Sequence, residues 1–183
     1  MDAVQEEKIY TIEDIYALPE GERAELIDGK IYFKATPGFT HQNISAMLHL
    51  AILEYIRDNN GNCAAVAAPF SVFLNNDKNK TTYVEPDISV ICDRSKIDEK
   101  GCHGAPDWVI EIVSPSSRTM DFLIKATKYN DAGVKEYWVV DPKEKLITVW
   151  VFESETDIRQ YRFGEDVPVG IYGGFSIKLP ENP

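Results

Sequence analysis

The stretch Trp108-Val109-Ile110-Glu111-Ile112-Val113 constrains the fold more tightly than any other part of the chain. Its residues are β-branched or aromatic on both parities, the pattern of a strand covered on both faces in the middle of a sheet. One carboxylate, Glu111, interrupts it. An ionised group buried alone costs several kcal/mol or more, so Glu111 must be paired, metal-bound or protonated. Whatever fold the chain adopts has to place a partner beside it.

The elements around this strand alternate in type. Thr11-Ile12-Glu13-Asp14 has the form of a capped helix start, and that helix ends near Pro19. Asp28-Gly29 between Arg23–Ile27 and Lys30–Phe33 signals a hairpin. From Thr40 to about Arg57, Ile44, Leu48, Ala51, Ile52 and Tyr55 recur at helical steps, and Asn59-Asn60-Gly61 stops the helix. Strand-like runs follow at Ala65–Leu74 and Thr82–Ile91, joined by a polar turn over 75–80, and Arg94–Pro106 reads as a long loop. After Ser114-Pro115-Ser116-Ser117 a helix runs to Ala132, with Gly133 as its stop. Glu136–Pro142, Leu146–Glu153 and Asp157–Phe163 read as strands, and a Pro/Gly-rich tail closes the chain. This order predicts an α+β or mixed-sheet α/β fold. Residues 1–10 form a flexible acidic N-terminus, and 11–180 one domain of ordinary size within the 183 residues.

Charge bounds the partners. The formal net charge is −11, and Met1–Asp28 carries −7 of it, with nine acids against Lys8 and Arg23. A large passive basic groove for nucleic acid is therefore disfavoured. A site in which metal ions supply the positive charge is not. No apolar run approaches the roughly 18–20 residues of a membrane span, and no charged-then-apolar leader opens the chain. Cys63, Cys92 and Cys102 are odd in number and lack a C-x-x-C pair, which suits reduced thiols in a cytosolic protein. Cys102-His103 has no partners at zinc-site spacing.

Two acids carry the chemistry. Asp87 follows Pro86 inside a strand-like run, and proline marks such a position as an edge, a bulge or a strand entry. Asp87 and Glu111 are 24 residues apart, and the intervening loop allows their strands to return side by side. Neighbouring carboxylates repel unless a cation sits between them, and Mg²⁺ is held by one or two carboxylates plus water and substrate phosphate. Such an ion polarises a phosphodiester and acidifies an attacking water. The plainer readings are a turn aspartate for Asp87, and a solvated strand residue or an arginine's buried partner for Glu111. Lys125 is the third element, with Asp121 and Lys128 in a polar stripe on the following helix. Lys125 either stabilises charge on phosphate or forms a surface pair with Asp121 at i,i+4, worth about 0.3–0.5 kcal/mol. Glu25 is an auxiliary acid or a strand-edge charge. His41 and Gln42 reach substrate or cap their helix. Trp108, Tyr137 and Trp138 belong to the core.

Pro86-Asp87, then Glu111-Ile112-Val113-Ser114-Pro115-Ser116, then Asp121 and Lys125, resemble the PD-(D/E)XK nuclease superfamily. Glu25-Leu26-Ile27-Asp28-Gly29, His41-Gln42, Ala68-Pro69-Phe70, Gly104-Ala105-Pro106-Asp107, Ala132-Gly133-Val134 and Glu136-Tyr137-Trp138-Val139-Val140-Asp141-Pro142 narrow the resemblance to the Uma-two restriction-endonuclease-like family, over about Ile12–Leu179. The resemblance implies a restriction-endonuclease-like core: a mixed sheet flanked by helices, with extra antiparallel strands. It implies Mg²⁺ or Mn²⁺ on Asp87, Glu111 and the carbonyl of Ile112, and DNA as the substrate of an endonuclease. The superfamily lysine stands two residues after the second acid, where this chain has Val113. Its role then passes to Lys125, with Lys128 and Arg118 as alternatives. Many such nucleases cut both strands as homodimers, so dimerisation is compatible with the reading. The rival functions are a non-catalytic nucleic-acid- or protein-binding module on the same fold and a metal-dependent hydrolase of another phosphate ester.

Overall fold

The computed structural model describes residues 8–74, 82–114, 117–152 and 156–183. The expected turn over 75–80, residues 1–7 of the acidic N-terminus, and Pro115-Ser116 lie outside the described residues. The elements run α1 (Ile12–Tyr16), β1 (Ala24–Ile27), β2 (Lys30–Phe33), α2 (Phe39–Asp58), β3 (Ala64–Ala67), β4 (Val72–Phe73), β5 (Tyr83–Val84), β6 (Ile88–Ile91), β7 (Ile97–Asp98), β8 (Gly101–His103) and β9 (Trp108–Ile112). A π-helical segment, Met120–Lys125, then leads into α3 (Ala126–Ala132). β10 (Glu136–Asp141), β11 (Leu146–Phe152), β12 (Thr156–Arg162), β13 (Val167–Pro168) and β14 (Ser176–Ile177) complete the chain.

Local chemistry accounts for the element ends. Thr11 N–H donates to Asp14 Oδ2 at 2.8 Å, closing the start of α1 as its sequence predicts. Asp28 and Gly29 both take positive φ, 51° and 73°, which is the geometry a two-residue hairpin turn demands. Gly133, at φ 89°, ends α3 in the left-handed conformation.

Among the described residues the strands form two six-stranded sheets and a small hairpin. The first sheet has the order β2-β1-β5-β4-β8-β7 and the second β12-β11-β10-β9-β6-β3. Both are mixed. In the second, β9 runs parallel to β10 and antiparallel to β6. β9 is therefore central, and both of its faces are covered. Trp108 and Ile110 pack with Ile44, Leu48 and Ile52 of α2, while Val109 packs with Tyr129 and Tyr137 on the other side. Full burial of each large aliphatic side chain contributes about 1.5–3 kcal/mol. The doubly covered strand expected around Glu111 is present.

Three expectations change. The runs Ala65–Leu74 and Thr82–Ile91 are not single strands. Each is divided, β3 from β4 and β5 from β6, and the two halves enter different sheets. A cis Ala68-Pro69 bond lies in the first break, and Glu85-Pro86-Asp87 forms the second. Proline cannot continue a hydrogen-bonded ladder, so the chain leaves one sheet there and joins the other. The stretch Arg94–Pro106 is not a plain loop but carries the β7–β8 hairpin. Reduced thiols were the third expectation, and Cys63 and Cys92 instead form a disulfide. Ala64 pairs with Ile91 in the β3–β6 register, which sets the two cysteines opposite one another with Cα atoms 3.9 Å apart. Register creates that pairing, and sequence spacing does not display it. Cys102 is free and buried. No helix among the described residues is long and apolar enough to cross a membrane.

Candidate active site

The register of β6 and β9 builds the site. Ile88 pairs with Ile110, so Asp87, one residue before β6, falls opposite Glu111. Ile112 N–H donates to Asp87 Oδ2 at 2.7 Å and fixes that carboxylate against the neighbouring strand. Glu25 arrives from the other sheet, on β1. The π-helical segment supplies Asp121 and Lys125. These residues, with His41 and Lys34, line one cavity of about 460 Å³.

Lys125 is the centre of the cluster. Its Nζ lies 2.8 Å from Glu25 Oε2, 2.9 Å from Glu111 Oε1 and 3.5 Å from Asp121 Oδ1. Lys125 and Asp121 are each only 3% exposed, which removes the surface-pair reading of the two. Tyr129 donates its hydroxyl to Glu111 Oε1 at 2.8 Å. Lys34 Nζ lies 3.3 Å from Glu25 Oε1 and donates to the Glu85 carbonyl at 2.7 Å. Glu25 also accepts from the backbone N–H of Glu85 at 3.0 Å, tying β1 to the break before Asp87. The plain strand-edge reading of Glu25 is thereby replaced by a buried, multiply bonded acid, 4% exposed.

One ammonium is shared among three carboxylates, and protonation follows from that. Burial would raise Glu25, but Lys125 and Lys34 outweigh it and hold Glu25 below its ordinary value. Burial likewise opposes His41, Lys34 and the Ile112 N–H at Asp87, and the net direction is down. Glu111 goes the other way. Burial pushes it up to about 8, Lys125 offsets only part of that, and Asp121 adds to it. Among the described residues Lys125 and Tyr129 both donate to Oε1, which leaves Oε2 for a proton on this carboxyl. Burial also raises Asp121, against the pull of Lys125. Lys125 itself is held well above its usual value, because its three acids more than offset burial.

The remaining sequence candidates separate cleanly. His41 Nε2 lies 3.2 Å from Asp87 Oδ2, and its Nδ1 is buried without a partner among the described residues. Burial lowers its basicity, Asp87 more than restores it, and the net direction is up. Gln42 is exposed and outside the cavity lining. Lys128 pairs with Asp28, and Arg118 with Asp141. Of the three cations weighed for one role, Lys125 alone sits among the acids. Tyr129 and Lys34 were not singled out from sequence. Tyr129 lies one turn beyond Lys125 on the same helical run, and Lys34 follows β2 directly.

The donor set suits a hard divalent cation. Among the described residues no three His, Cys, Asp or Glu side chains converge closely enough to cage an ion by themselves. Mg²⁺ needs no such cage, since it keeps several waters and takes one or two carboxylates. Asp87, Glu111 and the Ile112 carbonyl are all oxygen donors. Burial is the main reason Glu111 holds its proton, with Asp121 and Asp87 adding to it against Lys125 and Lys34.

Comparison with known proteins identifies the family and the fold. A family model, Uma2, described as "Putative restriction endonuclease", matches residues 12–179. A solved structure described as a "putative nuclease belonging to DUF820", from Anabaena variabilis, superposes with a TM-score of 0.74 at 24% identity. The match covers 93% of this chain and 96% of that one, which shows a shared fold. No curated protein matches the chain.

Proposed function

The chain belongs to the Uma2 restriction-endonuclease family, and from that premise we propose a divalent-metal-dependent endonuclease of the PD-(D/E)XK type that hydrolyses DNA phosphodiester bonds. One observation carries the reading: Asp87 and Glu111 stand opposite each other across β6 and β9, with Lys125 Nζ 2.9 Å from Glu111. Asp87, Glu111 and the Ile112 carbonyl would hold Mg²⁺ or Mn²⁺. Bound there, the ion polarises the phosphate and acidifies its water. The residues do the rest. Asp87, already ionised near neutral pH, offers a ready ligand. Glu111 would give up its proton on binding the ion. Lys125 stays an ammonium throughout and is no general base. It anchors Glu111 and adds fixed positive charge where the phosphate's charge develops. Glu25 and Asp121 hold Lys125 in place. His41 orients Asp87.

The test is Mn²⁺ calorimetry on the wild type, Asp87→Ala and Glu111→Ala, with plasmid nicking on the same preparations. Metal binding and nicking should both vanish in the folded variants. A wild type that binds no Mn²⁺ would overturn the proposal. Because the metal-free Glu111 carboxyl titrates near 8, metal uptake below that pH releases its proton. The apparent affinity should therefore rise with pH, by up to about tenfold per unit between pH 6 and 8, and flatten above. Titrations in buffers of different ionisation enthalpy read the released proton directly.

A further inference from the structure

The reacting groups lie below the surface, and that restricts the substrate. Glu111, Asp121 and Lys125 are each 3% exposed, so a phosphodiester must descend into the cavity to meet them. At about 460 Å³ the cavity has the dimensions of a small-molecule pocket. A paired strand reaches such a depth only by losing its stacking and pairing, whereas an unpaired strand pays least for it.

The wall of the cavity carries an exposed aromatic ring, Phe33. The segment Tyr32–Gly38 forms one side. Within it Phe33 lines the cavity and is 65% exposed, and Phe39, next in the chain after Gly38, is 81% exposed. Most other aromatic rings of this chain are packed in its cores or against one another, including Trp108, Tyr129, Tyr137 and Trp138. Phosphate contacts are poorly provided for. Among the described residues the lysines of the cavity are Lys34 and Lys125, and both are engaged by Glu25. With a net charge of −11, the chain can gain little from the counterion release that dominates duplex affinity. Stacking of bases on aromatic faces is another source of affinity for an unpaired strand.

We infer that the site takes an unpaired DNA strand, with Phe33 and Phe39 as stacking platforms on either side of the loop that walls the cavity. This rests on the nuclease reading and adds the substrate form to it. The experiment compares a fluorogenic unpaired oligonucleotide with the same sequence in duplex, in Mn²⁺, for the wild type, F33A/F39A and F33W/F39W. The wild type should cleave the unpaired strand with a kcat/KM at least about tenfold above the duplex. F33A/F39A should raise KM for the unpaired strand by about tenfold or more, the scale of losing stacked bases. F33W/F39W, which keeps the stacking faces, should stay near wild type. Thermal melting checks the fold of each variant, and F39A alone serves if the double alanine variant melts early. Equal cleavage of duplex and unpaired strand, or an unchanged KM in a folded alanine variant, overturns the inference and leaves the nuclease reading standing. A wild type that binds Mn²⁺ yet cuts neither form removes the nuclease reading, and the inference with it.

Discussion

Lys125→Met should lower the unfolding free energy by about 3–5 kcal/mol at pH 8, the scale of stripping the partner from a buried charge. The substitution keeps the length and apolar bulk of the side chain and removes only the ammonium. Glu25, Glu111 and Asp121 then face one another without their shared cation. The sign of the pH dependence follows. Carboxyls without a cation bind protons more tightly in the folded state than in the unfolded chain, so folding recovers as pH falls and the acids protonate. The loss should therefore be smaller at pH 5 than at pH 8. Urea unfolding at the two pH values measures it. Equal midpoints for wild type and variant at both would mean that Lys125 does not hold the cluster together.

Glu111→Gln should separate activity from stability. Cleavage should fall by about 10³-fold, the upper scale for losing one charge-stabilising group in a site. The fold should be kept or strengthened. The substituted amide is neutral, and its carbonyl oxygen can still accept from Lys125 and Tyr129. In the wild type the folded pKa of Glu111, about 8, lies above the ordinary 4.5. Its contribution to stability is thus fully present below pH 4.5 and is lost as pH rises through 8. The glutamine variant lacks that loss, so at pH 8 without metal it should melt at or above the wild-type temperature. Such a trade of stability for activity is common at functional sites. A variant that loses both would make Glu111 a structural acid.

The sequence was most informative where one residue's environment could be inferred from its immediate neighbours. A carboxylate in a run apolar on both parities has few outcomes, and Glu111 realises one of them, paired with Lys125 and Tyr129. Pro86 marked the irregularity at which Asp87 turns into the site. The helix bearing Lys125 and its glycine stop were equally legible. What escaped depends on long-range register. Periodicity shows that a strand is covered, not which sheet covers it, so the crossings at Ala68–Ser71 and Glu85–Asp87 were read as continuous strands. The Cys63–Cys92 pair arises from the same β3–β6 alignment. Sequence left Glu25 open between an auxiliary acid and a strand-edge charge and did not mark Lys34, because their partners come from elsewhere. Glu25 meets Lys125 across 100 residues of sequence.

That separation has a bearing on how the protein is made. A growing chain acquires Glu25 first, then Asp87 and Glu111, and only later the lysine that binds two of these acids together. Until Lys125 has emerged and docked, Glu25 and Glu111 lack the ammonium that they share. The ion-pair cluster is then completed only after Lys125 has been made. Chains truncated before Lys125 would carry the acids without the ammonium that Glu25, Glu111 and Asp121 share. By this ordering the cluster is complete only once the segment that carries Lys125 has joined the acids made before it.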